Sequence, residues 1–589
     1  MKLILKVQEQ GKGIVNTVSR FPITMLFLLL TAIWNIMAIN NQSFESYNKL
    51  MLSFVLGASI YVVLQMVYER FFSTPIARGA FMAVPFVLAL IYYLMIKDQE
   101  FDVKIGVRTI VLFFILFIAF LWVPVIKSRI NFNQSFMAAF KAFFMAVLFS
   151  GVLFVGILLI LGATDRLILN VSDKAYAHAA NIIFVLLFPI YFLSMIPTYS
   201  QEESEEDNIG RELLARQIAP ARFLEVLISY VAIPIAAVFT VILLLYIIMN
   251  IRGEFWTDNL MEPLLVSYSI IAIIVYLLAS TITNAVARYF RLIFPKVLLL
   301  VVLFQTISSL LRIREDGISY GRYYVILFGV FAIIASLWFC IKPVQSNGII
   351  APVLIILSLF SILPFVNAFT VSRVSQTNRL VTVLERNDML ADGRIVPRSD
   401  ISKEDMKAIQ SSVQYLSRLE YTKEISWLRE YYTSNNFEKT FGFSEYTIDD
   451  PGTVSNYVTI TRKQSSPIPI SGYDYLTRFN VYDKNMESTL GSFEMDGKTY
   501  SLSMVRTSSE QQEILLKSEE QEMIRFPFSK IYAEFEGSSG NKELDTSELI
   551  FTMENEKAAI TVVPESININ SWKDGESRQA DVNILVKLK

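Results

Sequence analysis

Long apolar runs separated by short polar segments fill the chain from Phe21 to Thr370, and the pattern then stops. A bilayer core is crossed by about 20 apolar residues in a helix. On that measure the sequence predicts about eleven spans: Phe21–Ile39, Leu50–Tyr68, Gly79–Ile96, Thr109–Ile126, Met137–Leu161, Ala179–Pro197, Phe223–Met249, Pro263–Ala285, Leu292–Leu311, Tyr323–Ile341 and Ile349–Thr370. Trp34, Tyr92, Tyr93, Trp122, Tyr199, Tyr320, Tyr323 and Tyr324 fall where spans meet water, as interfacial aromatics do. Pro85, Pro234, Pro352 and Pro364 lie inside spans and read as tolerated kinks.

After Val371 the periods shorten. Leu380, Val383, Leu384 and Leu390 mark one helical face. Ser402 caps a second helix whose apolar positions are Met406, Ile409, Val413, Leu416 and Leu419, with Asp405 completing a capping box. From Phe441 the signal turns to short β-branched and aromatic stretches: Tyr457–Ile460, Tyr475–Tyr482, Tyr500–Val505, Ile531–Phe535, Leu549–Met553, Ala559–Val563 and Val582–Val586. Asp450-Pro-Gly452, Asp496-Gly497, Gly537–Gly540 and Asp574-Gly575 punctuate them, while Asp392-Gly393 and Pro397 mark the loop between the two helices. The organisation is thus a basic segment 1–20, an α-helical polytopic membrane domain 21–370, a helical segment 371–436 and a β-rich soluble domain 437–589. The soluble part is α+β and mostly antiparallel, a sandwich or barrel rather than one long mixed sheet.

Charge divides along the same line. The chain is 53% hydrophobic and 18% charged, but residues 1–370 carry +6 and residues 371–589 carry −8. An acidic tail excludes a nucleic-acid surface, and a basic body suits contact with membrane lipid. With Met1–Arg20 placed inside as a cytoplasmic interfacial segment, the inner loops hold 16 Lys and Arg and the outer loops 10. The N-terminus is therefore expected in the cytoplasm, and an odd span count puts the C-terminal domain outside. The basic loop Arg312–Arg322 sits uneasily on the outer side. One cysteine, Cys340, and one histidine, His178, exclude a Cys/His zinc site and an internal disulfide. No metal or cofactor is expected.

No Asp, Glu, Lys, Arg or His lies near the middle of a proposed span, unlike the sites of ion-coupled pumps and proton relays. Asn35, Gln65, Thr281, Asn284, Gln305, Ser308 and Ser309 are the mid-span polar groups and are expected to bond between helices. Gly79 with Ala83, and Gly151, Gly156 and Gly162, suit close helix approach. The loop Thr198–Arg222 carries an acidic run, Gln201–Asp207, and an amphipathic stretch, and reads as a linker or a partner contact. Candidate chemistry is sparse. Asp165, Asp173 and His178 share one outer loop with Arg166 and Lys174, and Asp474 sits between Tyr473 and Tyr475. Acid–base work is one reading of the outer-loop group, but a solvated loop explains it better, and a turn into the following strand explains Asp474.

Three ordered features carry a resemblance: Arg20-Phe-Pro22 before the first span, Gly321-Arg-Tyr-Tyr324 opening a late one, and Leu390-Ala-Asp-Gly393, Ile401-Ser-Lys-Glu-Asp405, Tyr415-Leu416 and Gly472-Tyr-Asp474 after the membrane domain. Together they resemble bacterial multi-pass inner-membrane proteins built on a domain of unknown function. The resemblance implies a plasma-membrane location and no particular chemistry. Three functions stay open: an envelope sensor or scaffold whose outer domain recognises an envelope component or protein partner, a permease or flippase for a neutral or lipid-linked substrate, and an outer-face membrane enzyme. For the enzyme, Asp165, Asp173, Asp258 and Glu262 are the carboxylates available.

Overall fold

The computed structural model describes residues 13, 15–40, 47–199, 214, 215, 217–250, 261–429, 437–443, 456–482, 488–506, 512–519, 521–535, 538, 540–572 and 575–589. The N-terminal basic segment up to Lys12, the acidic run Gln201–Asp207, Asp258, Asp450-Pro-Gly452, Gly537 and Asp574 lie outside these residues. The chain forms two compact units, Met1–Arg379 and Leu380–Lys589.

The first unit is a polytopic membrane domain. Among the described residues, ten of its helices are long and apolar enough to cross a bilayer: α1 Pro22–Ile39, α2 Tyr47–Phe71, α3 Pro75–Ile96, α4 Val103–Trp122, α5 Phe132–Leu167, α6 Asp173–Ser194, α7 Arg222–Met249, α8 Met261–Ala279, α9 Ala285–Leu311 and α10 Tyr320–Ile341. Polar caps start several of them. Asp102 accepts from the Ile105 amide, Asn131 forms a capping box with Gln134, and Asn284 and Ser319 cap α9 and α10. In α6 and α7 a turn of π geometry, Ile182–Leu187 and Ile228–Ala232, precedes Pro189 and Pro234. A proline lacks the N–H and crowds the carbonyl four residues back, and the wider turn relieves both problems.

The eleventh stretch, expected as one span over Ile349–Thr370, is broken. A 3-10 turn Val344–Ile349 leads into α11, Ile350–Phe360, and the next helix, α12, begins only at Ala368. Pro364 cannot donate, Phe365 takes a φ of 70°, and the Asn367 side chain accepts from the amides of Phe369 and Thr370 to start α12. The stretch still runs the length of α10. Trp338 near one end of α10 donates to the Ser346 carbonyl at 3.1 Å, and Tyr323 near the other donates to the Val366 carbonyl at 2.8 Å.

The glycines that allow close packing differ from those expected. A Cβ on Gly57 would lie 2.7 Å from the Phe27 ring, and one on Gly329 would lie 2.3 Å from the Thr306 hydroxyl. Gly79, Gly151 and Gly156 have no neighbour within 4 Å, and Gly162 has only the Tyr176 hydroxyl at 3.9 Å. The latter glycines face the outside of the helix group, where small residues bring no helix closer.

The second unit begins within α12 (Ala368–Arg386), whose last turns carry buried Leu380, Val383 and Leu384, and α13 (Lys403–Arg418) buries Ile409, Val413 and Leu416. The hairpin β1 Leu390–Ala391 and β2 Arg394–Ile395 turns through Asp392 and Gly393, both at positive φ. Ser402 caps α13 as expected, but Asp405 does not close the box. Its carboxylate pairs with Arg386 and accepts from Asn387, which ties α13 to α12.

Ten further strands follow: β3 Asn456–Arg462, β4 Tyr475–Tyr482, β5 Ser488–Met495, β6 Lys498–Arg506, β7 Gln512–Ser518, β8 Gln521–Pro527, β9 Gly540–Leu544, β10 Phe551–Glu554, β11 Ala558–Trp572 and β12 Gly575–Leu588. One sheet has the order β4-β12-β11-β3-β9 with β10 also on β11, and the other is β5-β6-β7-β8. All pairs are antiparallel except β3 with β9. Both sheets feed one core, with Val458, Ile560 and Val582 from the first and Leu502, Ile514 and Phe526 from the second. Ile531–Phe535, expected as a strand, belongs instead to a short helix, Ser529–Glu534. Phe528, Ile531, Tyr532 and Phe535 keep helical spacing and are all buried in that core.

Candidate functional site

The residues singled out for chemistry have local structural roles. Asp165 is exposed and accepts from the Val171 amide at 2.7 Å, closing the turn between α5 and α6. Asp173 is exposed at the first turn of α6, where a carboxylate suits the helix dipole, and His178 lies one turn further on, half-buried. No group of three His, Cys, Asp or Glu able to hold a metal occurs among the described residues. Asp474 donates its amide to the Val586 carbonyl and accepts from the Leu588 amide, so it fastens the start of β4 to the end of β12. Glu262 accepts from Ser309 across α8 and α9.

Several mid-span polar groups do bond between helices. Asn35 donates to Asn181 at 2.9 Å, Asn284 to Ser229 at 2.8 Å and Gln305 to the Val325 carbonyl at 3.5 Å. Gln65 and Thr281 bond within their own segments. The more consequential polar contact uses Arg20. Its guanidinium forks onto Glu69 with two bonds of 2.7 Å and reaches the carbonyls of Ile196 and Pro197, at 2.7 and 2.9 Å. It thereby joins the ends of α1, α2 and α6. The motif Arg20-Phe-Pro22 is explained by this clamp: Phe21 is fully buried and Pro22 opens α1.

The membrane unit contains a cavity of 470 Å³. This lies in the range of small-molecule pockets, roughly 300–1,000 Å³. Its walls are apolar throughout. α4 supplies Phe114, Phe117, Ile118 and Leu121. From α5 come Phe132, Phe136, Ala139, Phe140, Phe143 and Phe144, and from α6 Phe192. Ile270, Ile273, Ile274 and Leu277 of α8, Phe328 and Phe331 of α10, and Ile350, Ala351 and Leu354 of α11 complete it. Leu121, Phe132 and Ala351 are buried, whereas Phe117, Phe143 and Phe144 are about half exposed on the outer face of the helices. The cavity therefore opens sideways, toward the region lipid occupies.

Its position along the helices is equally defined. Phe132 and Ile350 begin α5 and α11, while Leu121 and Phe192 lie near the ends of α4 and α6. Those termini share the end of the unit that carries Arg20 and Glu69. One residue beyond Phe132, the fully buried Asn133 donates to the Val344 carbonyl and accepts from Asn347 at 3.0 Å, a polar layer next to the apolar walls. A visible signal marked this site in the sequence. Phe132, Phe136, Phe140 and Phe144 repeat every four residues, and their rings follow one another at 6.4, 6.4 and 4.6 Å. The expected fifth span, Met137–Leu161, left Phe132 and Phe136 outside the helix, which in the structure begins at Phe132.

At the other end, the loop Arg312–Arg322 proves less cationic than its sequence. Arg322 bonds Asp316 at 3.1 Å and the Gly317 carbonyl at 2.9 Å, and Arg312 is buried. Arg379 lies close by. Burial pushes its guanidinium below the ordinary arginine value, Asp316 pulls it back up, and Arg322 lowers it further.

A family model described as Domain of unknown function (DUF4153) matches residues 25–392. No curated protein and no solved structure matches the chain.

Proposed function

The chain belongs to the DUF4153 family of membrane proteins, and from that premise we propose that its membrane unit takes up the hydrocarbon chain of a lipid or lipid-linked substrate from the bilayer. The sideways-opening, phenylalanine-lined cavity carries this reading. A wall with no polar side chain can neither orient an ion nor hold a water file, and it suits an acyl or isoprenoid chain. The absence of ionisable groups near the middle of the expected spans points the same way, away from ion coupling and toward a lipidic permease or flippase. Moving a chain from bilayer to cavity gains no hydrophobic free energy, so selection rests on close packing against the rings.

The test is photo-crosslinking in membranes with a phospholipid bearing a diazirine on its acyl chain. Adducts are expected on the peptide containing Phe136–Phe144, and Ala139→Trp, which fills the cavity, should reduce them about fivefold, as steric exclusion from a packed site implies. Labelling spread evenly over all outward helix faces, unchanged by Ala139→Trp, would remove the reading.

A second reading is an envelope sensor or scaffold in a bacterial plasma membrane, with the C-terminal unit outside and bound to an envelope component or protein partner. It is supported by the stretch from Ser346 to Val366, which accompanies α10 from end to end and would serve as an eleventh crossing. An odd number of crossings leaves the two termini on opposite sides. Both readings hold together if a bound lipid is what the outer unit reports. An outer-face enzyme is disfavoured, because Asp165 and Glu262 are each engaged locally.

A further inference from the structure

We propose that Arg108 and Tyr324 form a binding site for a phosphate-type oxyanion at the end of the membrane unit where α4 and α10 begin. Arg108 stands in the second turn of α4. Among the described residues it has no ion pair and no hydrogen bond, and its one contact of note is the Phe369 ring, 6.0 Å from the guanidinium to the centroid. Its Nε is sealed from solvent and has no acceptor. Phe369 stacks in turn on Tyr320, and one turn further along α10 the hydroxyl of Tyr324 is likewise sealed from solvent without a hydrogen-bond partner. Two donor atoms sealed from solvent, one of them on the guanidinium of a half-buried arginine, thus have nothing to receive them.

Such an arrangement is unusual on energetic grounds. Donor atoms sealed from solvent are nearly always satisfied. Among the neighbouring cations, Arg322 uses Asp316 and the Gly317 carbonyl, and Arg379 feels the same carboxylate. Asp316 is thus engaged by others, and no described carboxylate pairs with Arg108. An arginine's planar fork with a nearby hydroxyl matches the oxygens of a phosphate or phosphodiester. Phe369, stacked on Tyr320 at 5.2 Å, backs the guanidinium and keeps it oriented. The depth is also right, since the second turn of a spanning helix lies near the headgroups. On α10, Tyr324 shares a face with Phe328 and Phe331, two walls of the cavity, so the chain of a bound lipid phosphate has an apolar path to follow. The anion site stands on its own donors and does not require that path.

The experiment uses the full chain in nonionic-detergent micelles and reads thermal unfolding against added ligand. One arm adds sodium phosphate, one adds dioleoyl-phosphatidylglycerol, and sodium chloride at equal ionic strength is the control. A saturable rise in unfolding temperature above the chloride control is expected. If phosphate alone produces it, the ligand is a soluble phosphate; if only the lipid does, it is a headgroup. Arg108→Gln should weaken the apparent affinity roughly tenfold or more, the loss of one charged hydrogen bond. Arg108→Lys should restore part of it, and Tyr324→Phe, which removes one oxygen, tests the site if Arg108→Gln fails to fold. The proposal is overturned if neither ligand exceeds the chloride control, or if Arg108→Gln and Tyr324→Phe respond like the parent chain. Either result leaves the cavity reading untouched, because that is scored by crosslinks at Phe136–Phe144.

Discussion

Arg20 shows how much one side chain can organise. Its fork on Glu69 is largely buried, with side-chain exposures of 15% and 9%, and two carbonyls take up the remaining donors. Removing one member of such a pair leaves the other charge stranded, at a cost of about 3–5 kcal/mol. Glu69→Ala should therefore unfold at markedly lower denaturant in detergent, while the double variant with Arg20→Met should recover part of the loss. Equal stability of Glu69→Ala and the parent would mean that the clamp is ornamental. The motif that holds Arg20 was readable in the sequence. Its partner was not, because 49 residues separate Arg20 from Glu69 and only folding brings them together.

Among the helices, α9 and α10 make the closest approach that a glycine permits. Gly329 lies so near Thr306 that even a methyl group needs a shift of the helix or of the threonine. Gly329→Ala should destabilise the membrane unit by about 1–3 kcal/mol, the usual cost of overpacking. Gly151→Ala, at a position with no neighbour within 4 Å, should be neutral or slightly stabilising through helix propensity. A thermal scan of both variants in the same detergent separates them, and the reverse order would contradict the packing. Small residues were legible as such in the sequence, but which of them touches a neighbour depends on helix rotation, which local pattern leaves undetermined. The same limit explains Ile531–Phe535. Its residues fit a strand on composition, and their helical spacing shows its purpose only when Phe528 is included in the same buried face.

For the whole molecule the outstanding quantity is the number of crossings. Counting the broken stretch around α11 with the ten long helices of the described residues gives eleven, and with the N-terminus proposed in the cytoplasm a reporter fused after Lys589 is expected to be active only outside it. A reporter active only inside would mean that α11 enters the membrane and returns on the same side. Shifting Pro364→Ala is not expected to change that side, since Asn367 still caps α12 and Tyr323 still holds Val366.

Hydropathy and period alone determined the membrane domain, the change at about residue 370, the helical onset of the second unit and the antiparallel character of its strands. Each follows from free energies that neighbouring residues set: transfer of an apolar run, a two- or four-residue repeat, a cap beside its helix. Tertiary structure alone decided the rest. It joined Asn133 to Asn347 across 214 positions, took Asp165 and Asp474 into turns and strand ends, left a ring of phenylalanines around empty space, and stranded Arg108 without a carboxylate. Those outcomes depend on which surfaces meet, and that is fixed by packing among distant segments rather than by any local preference.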